Sequence, residues 1–439
     1  MAVSGKLHRV LGLAFGIAVT VGITIGAGIL RRPGAVAGAL GDTWLILLMW
    51  TLGGVYALLG SLVVAELATA LPEAGGFFVW SHRAIGPAAG FAIGWCDYLA
   101  NAVTVAYCAV SIGELSLALA GLQRDAVPYI AVSLVLLFGI LQWLGIRSGS
   151  RTQQITSALL ATSYLSLVAS AFAFGNPQGD AQPILRREFP LGLFGALIFA
   201  MQSIVVTYDG WYQPAYFAEE MEQPDRNLPR SLIAGVLTVT AVFLLVNIAL
   251  LYALPPRQLA ASDLPAADLA AMLFGSSGQR VISVLSLFAL PPTINAALLS
   301  GSRVLFGLSR RGLFWSTATA VNSGGTPHVA LAMTAAMSIA LVLSGTFEQL
   351  LAIAGFFFVV NHCSAFASLF LLRWKAPGLA RPFPVPGYPF TPAVVMLAGA
   401  GFLIGSLASD TENSLKAAGF LALCLPVYAV LARRRAQGT

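Results

Sequence analysis

The stretch GITIGAGIL, residues 22–30, sets three glycines inside an apolar segment that runs over residues 10–30. A helical run of that length crosses the roughly 30 Å hydrocarbon layer of a bilayer. Backbone that leaves the helix at such depth has no water to bond, so it is tolerated only where it lines a cavity or is buried in protein. The glycines therefore either pack this helix closely against another or open it for a purpose. The rest of the chain has to decide between those readings.

Of the 439 residues, 58% are hydrophobic and only 10% charged, with a mean hydropathy of +0.82. That composition lies far from soluble chains and reads as an all-α integral membrane protein. Charge-poor stretches recur at 44–65, 88–113, 126–146, 155–175, 189–208, 231–254, 281–302, 327–347, 349–372, 390–409 and 417–432. With the first segment they predict twelve transmembrane helices. The N-terminus is not read as a signal peptide, because its apolar run is longer than an h-region and Arg31 and Arg32 precede the nearest small-residue cleavage pattern.

An even number of spans puts both termini on one side. If that side is cytoplasmic, its loops collect sixteen of the 24 basic residues, including Lys6, Arg83, Arg147, Arg310, Arg373 and Arg433. The expected location is the plasma (inner) membrane, multi-pass, in contact with lipid. The net charge of +6 reads as topology, and no nucleic-acid partner is expected, since no basic run interleaved with aromatics lies outside the spans. Cys96, Cys108, Cys363 and Cys424 fall inside spans without paired spacing or a histidine cluster, so they read as packing residues. Neither metal nor cofactor is expected. No stretch is long enough for a soluble domain, so residues 1–439 read as one transport-type membrane domain.

A second interruption is TYDGWYQP, residues 207–214, which puts a glycine, a proline and a carboxylate into the sixth span. Spans one and six correspond if residues 8–175 and 189–373 are two five-helix repeats, with residues 387–434 forming helices 11 and 12. Paired breaks at matching positions are a sequence pointer to a transporter site near the bilayer midplane. Each break exposes unpaired N–H groups at one half-helix end and unpaired carbonyls at the other. A free amino acid carries an anion and a cation on one carbon, and two crossed breaks hold both. The competing reading of Gly12, Gly16, Gly22 and Gly26 is close helix packing through small-xxx-small spacing.

Five segments carry a family resemblance. GITIGAGILRRPG resembles the first-helix motif of the amino acid, polyamine and organocation superfamily. GSLVVAELATALPEAGGFFVW (60–80) resembles its second-helix end, and YDGWYQPAYFAEEMEQPDRNLPRSL (208–232) its sixth-helix signature. SGSRVLFGLSRRGLF (300–314) and RPFPVPGYP (381–389) are similar to its eighth helix and the loop before the eleventh. The nearest likeness is to L-type and serine/threonine-exchanger-like permeases. The resemblance implies a LeuT-type 5+5 inverted repeat with discontinuous helices 1 and 6. It also implies amino acid binding by the N–H groups of Gly26, Ala27 and Gly28 and by carbonyls near Thr24, Val206 and Asp209. Ile23, Thr207, Tyr208 and Trp211 flank these positions and complete the implied substrate site. Many relatives have serine where Ala27 stands, and large-substrate relatives have a bulky aromatic where Val206 stands.

Asp209 has two readings, as an attractor of the substrate amine or of a proton, or as a cap on N–H groups of the unwound segment. Glu114 is a second candidate proton carrier, though its place near the outer end also allows a solvated role. Glu66 and Asp97 read as interfacial partners of loop arginines, His362 as a hydrogen-bonded packing histidine in preference to a titrating one, and Arg31 and Arg32 as snorkelling to the outer interface in preference to steering anionic groups toward the site. EEMEQPDR (219–226) reads as a cytoplasmic hinge with local ion pairs. Several sodium-independent relatives carry a lysine in the fifth helix, and Leu160 stands there in this chain. Pro291 and Pro292 free carbonyls that, with Thr293, either ligate a cation or bend the eighth span, and the bend is the favoured reading. Asn295 is a further coupling or gating candidate. The loop GLQRDAVP (121–128) lacks the cysteine that tethers a heavy chain in heteromeric relatives, so no covalently linked heavy chain is expected.

These residues predict a secondary carrier of small, neutral L-amino acids that works by sodium-independent exchange or facilitated transport. The alternatives are a proton-coupled carrier of cationic amino acids or polyamines, and a receptor that binds its nutrient without moving it. An enzyme is not expected, because no convergent catalytic groups appear.

Overall fold

The computed structural model describes residues 6–26, 28–175, 189, 192–254, 256–345, 347–409 and 411–437. In chain order its helices are α1 (Leu13–Thr24), α2 (Gly28–Leu40), α3 (Thr43–Ala70), α4 (Phe77–Ala84), α5 (Pro87–Ala120), α6 (Val127–Trp143), α7 (Ile146–Phe174), α8 (Gly192–Thr207) and α9 (Pro224–Ala253). They continue with α10 (Pro256–Ala261), α11 (Pro265–Phe274), α12 (Gly278–Ala289), α13 (Pro291–Arg310), α14 (His328–Ser344), α15 (Phe347–Lys375), α16 (Phe390–Ser409) and α17 (Thr411–Gln437). No extended strand occurs among the described residues, apart from one isolated bridge between Leu11 and Met221.

Among the described residues, eight helical stretches are long and apolar enough to cross a membrane, and α1 with α2, bent by 53° at their break, makes up to nine. Helices α6, α8 and α14 are apolar but shorter, at 17, 16 and 17 residues. The chain is a multi-pass membrane protein. Local signals set several helix ends. The Asp42 carboxylate accepts the Leu45 N–H at 2.8 Å and caps α3. Pro87 and Pro224 sit in first turns, where a missing N–H costs nothing, and Gly121 closes α5 at φ +67°. At the α12–α13 junction Pro291 and Pro292 start a new helix, and the two helices together form a single apolar stretch from Arg280 to Arg310.

Helix α3 packs along α9, α13 along α5, and α1 against α7 and α9. This buries one large apolar core, with a smaller cluster between α5, α6, α13 and α14. The first span differs from its sequence-based bounds. It does not end at Leu30, because α2 continues to Leu40 and carries Arg31 and Arg32 within it.

Candidate functional site

Helix α1 ends where Ile25 donates to the Val21 carbonyl, and Gly26 then turns back to donate its N–H to Thr24 at 2.9 Å. Helix α2 restarts at Gly28. Ala27 lies outside the described residues. In the second break α8 ends at Thr207, residues 208–212 form turns, and a 3-10 turn covers Gln213–Phe217. The two breaks cross. Gly210 has φ +111°, and a β-carbon there would stand 2.6 Å from Ile23 and 2.8 Å from the Thr24 hydroxyl. Only glycine satisfies both the backbone angle and that approach. A β-carbon on Gly28 would stand 3.3 Å from the Thr207 side chain, a tight contact without overlap.

A cavity of about 1130 Å³ opens at this crossing. Ile23, Thr24, Gly26, Gly28, Val206, Thr207 and Asp209 line it, as does Thr293 of α13. It extends past the exposed Arg31 and Arg32 to residues 260–263, of which Ala261 and Asp263 are exposed, and to Asn413 and Ser414, so it reaches the surface at the end where α2 finishes. Both arginines are exposed. They are wall residues, because α2 carries them along the cavity. The glycines divide by role. A β-carbon on Gly16 or Gly22 would overlap Ser231 or Ser157, whereas Gly26 has nothing within 4 Å. Packing and opening therefore occupy different glycines of one stripe.

Carbonyls of α1 and of the first break find donors on neighbouring helices. Ser157 donates to Ala18 at 2.7 Å, Thr293 to Gly22 at 3.1 Å and Tyr164 to Gly26 at 3.0 Å. Behind them Asn295 donates to Gln153 and Gly149, and Gln142 donates to Asn295. Leu160 is fully buried among apolar side chains, one turn from Ser157 and Tyr164. Neither Leu160 nor Asn295 is among the cavity's lining residues.

Asp209 faces the cavity with its side chain 18% exposed. Tyr212 donates to its Oδ2 at 3.2 Å, and Nε2 of His362 lies 3.3 Å from Oδ1 at an angle too poor for a hydrogen bond. His362 is thus packed among aromatic rings as expected, though without the hydrogen bond, and it is also an electrostatic neighbour of the site. Tyr208 and Trp211 are buried away from the cavity, where Tyr208 donates to the Trp50 carbonyl and Trp211 covers Gly60. Glu114 is exposed and outside the cavity lining. Asn101, Thr104, Tyr107 and Cys108 of α5, together with Tyr212 and Gln213, also line the cavity. Their spacing of three and four residues was visible, but no motif set that face of α5 apart from its other faces.

The opposite end is closed by polar contacts. Arg303 and Glu220 form a bidentate pair at 2.8 and 2.9 Å, with no exposure on either side chain. Ser300 donates to Gln213 at 2.6 Å, and Tyr216 donates to both oxygens of Asp97 at 2.8 and 2.9 Å. Asp97 is therefore a fully buried acceptor for a tyrosine and not the arginine partner expected. Glu66 does pair as expected, with Arg373 and Arg381. Glu219 and Glu220 do not pair locally, because they reach Arg310 and Arg303 on α13.

The amino acid permease family profile matches residues 9–429. The serine/threonine exchanger SteT of Bacillus subtilis is 30% identical over 98% of each chain. The mouse Asc-type amino acid transporter 1 is 28% identical over 92% of this chain and 77% of its own length. The mouse large neutral amino acids transporter small subunit 2 is likewise 28% identical, over 96% and 81%. A broken-helix crossing over a surface-connected cavity, in a chain matched almost from end to end, carries one conclusion: the protein belongs to the amino acid permease family.

Proposed function

We propose that the chain is a secondary carrier that exchanges small neutral L-amino acids by alternating access, without sodium. The carrying observation is the direct crossing of the two broken helices at the floor of the cavity. The N–H groups of the first turn of α2, from Gly28 onward, point without helical partners toward the break and suit an α-carboxylate. The Gly26 N–H is engaged by Thr24 in this conformation, so Gly28 carries more of that role than the resemblance alone assigns. Carbonyls near Thr24, Val206 and Asp209 suit the α-amine. The small polar side chains of Asn101, Thr104 and Thr293 favour compact substrates. The relatives named for serine/threonine exchange and for Asc-type transport support that class.

Sodium independence is supported by the Ala18 and Gly22 carbonyls, which accept from Ser157 and Thr293 and leave a cation little to ligate. The eight long stretches, the bent pair and the three shorter apolar helices together make twelve spans, in two repeats over 8–175 and 189–373 followed by helices over 387–434. We place both termini in the cytoplasm of the plasma membrane, so the cavity opens outward and the Arg303–Glu220 end faces inward. No covalent ancillary subunit joins the chain, since the loop between α5 and α6 has no cysteine. Counterflow of labelled serine, threonine, alanine and leucine into proteoliposomes, in sodium and in choline media, tests the reading. The absence of counterflow with every amino acid overturns it. The Asp209 carboxylate in the cavity favours a second reading, proton-coupled transport of a cationic substrate, which lysine uptake across a pH gradient distinguishes.

A further inference from the structure

A carboxylate at the floor of a membrane cavity ordinarily attracts cations, because few other groups compensate it there. Asp209 is so placed, and a substrate with a second ammonium on its side chain would find it. Both of its oxygens already have neighbours. Tyr212 gives a hydrogen bond to Oδ2 at 3.2 Å, and the His362 ring stands 3.3 Å from Oδ1.

The imidazole is unusual in its isolation. His362 is 1% exposed, and neither ring nitrogen has a hydrogen-bond partner among the described residues. The rings of Trp211, Tyr212 and Phe77 surround it, with centroids 4.9, 5.0 and 5.8 Å away. A buried polar ring without hydrogen-bond partners is costly, and among the described residues the 3.3 Å approach of Nε2 to Asp209 is what offsets that cost. The aromatic cage also stops it from swinging aside. His362 is not among the cavity's lining residues, so it reaches the substrate only through Asp209.

We infer that His362 is a specificity-determining positioning residue. Together with Tyr212 it occupies the Asp209 carboxylate, so that the cavity rejects amino acids with cationic side chains and accepts neutral ones. The ring edge at Nε2, 3.3 Å from Oδ1, fills that side of the carboxylate and leaves a second cation less room there. A site that excludes one ligand by occupying its anchor is discrimination built against a competitor. This inference deepens the proposed function and rests on it.

The test is competition of lysine against labelled serine in counterflow by the full-length protein in proteoliposomes. His362→Phe keeps an aromatic ring in the cage and removes only the nitrogens, and Tyr212→Phe frees Oδ2 independently. In the wild type, lysine competes poorly. In Tyr212→Phe the ratio of lysine to serine inhibition constants falls by about tenfold, the weight of one hydrogen bond to a charged group, and in His362→Phe it falls in the same direction. Asp209→Asn added to His362→Phe takes away the carboxylate charge and removes the gain. A ratio unchanged in both single variants overturns the inference, as does a gain that persists in the double variant. A wild type that takes lysine as readily as serine also overturns it. If one variant fails to fold, the other still reads the ratio. If no amino acid gives counterflow, the transport reading falls on its own, and the same ratio is then read by thermal stabilisation of purified protein with lysine and with serine.

Discussion

Gly210 rests directly on Thr24, so closely that a single methyl group on its α-carbon would stand 2.8 Å from the threonine hydroxyl. This one approach joins the two interruptions of the chain and forms the floor of the cavity. Replacing Gly210 with alanine adds an overpacking cost of about 1–3 kcal/mol. Its φ of +111° adds further strain for any side chain. We expect Gly210→Ala to lower both thermal stability and counterflow. Gly26→Ala, with nothing within 4 Å, should leave the unfolding temperature unchanged, so that any loss of exchange reports on substrate contact alone. Thermal unfolding and counterflow measured side by side check the contrast.

The buried Arg303–Glu220 pair should hold the protein closed at the end opposite the cavity mouth. Breaking a buried pair by removing one partner costs about 3–5 kcal/mol, because the other charge is left without compensation. Glu220→Gln is therefore expected to shift the population toward conformations open at that end. Alkylation of a cysteine placed at Ser300, in a background free of the four native cysteines, should speed up in this variant. An unchanged alkylation rate would show that the pair does not hold this end shut.

Replacing sodium by choline is expected to leave exchange unaltered, since hydroxyl groups already donate to the Ala18 and Gly22 carbonyls. Ser157→Ala removes the 2.7 Å hydroxyl contact to the Ala18 carbonyl within α1, beside which Gln153 approaches at 3.4 Å. A loss of about 1 kcal/mol in stability is expected, the net weight of one hydrogen bond. Chemical denaturation in detergent measures it.

Arg31 and Arg32 line the cavity and are exposed, and no carboxylate of the described residues forms an ion pair with either. They should draw the substrate carboxylate toward the site. Changing both to glutamine is expected to raise KM about threefold at low ionic strength and to have little effect near 0.5 M salt, where the Debye length falls below about 5 Å. Uptake kinetics at the two ionic strengths check this.

The spans and both breaks were legible because each is written within a few consecutive residues. Apolar runs mark the helices, and GITIGAGIL and TYDGWYQP mark where they part. The partners of buried charges were not legible in the same way. Glu220 and Arg303 are 83 residues apart and Asp97 and Tyr216 are 119 apart, so local charge patterning suggested nearer partners. His362 looked like any lone histidine in an apolar helix until the fold brought Asp209 against it. The face of α5 carrying Asn101, Thr104 and Cys108 has small residues suited equally to packing and to a cavity wall. Sequence does not distinguish those uses, because the choice depends on which helix stands opposite.

The bridge between Leu11 and Met221 carries a mechanical consequence. Val10 and Leu11 both donate to the Glu220 carbonyl, and Glu222 donates back to Leu11, so the root of the first helix is stitched to the tail of the second break. Those two half-helices can then swing only as a linked pair. Any tilt of one drags the other, so the two sides of the crossing share one hinge.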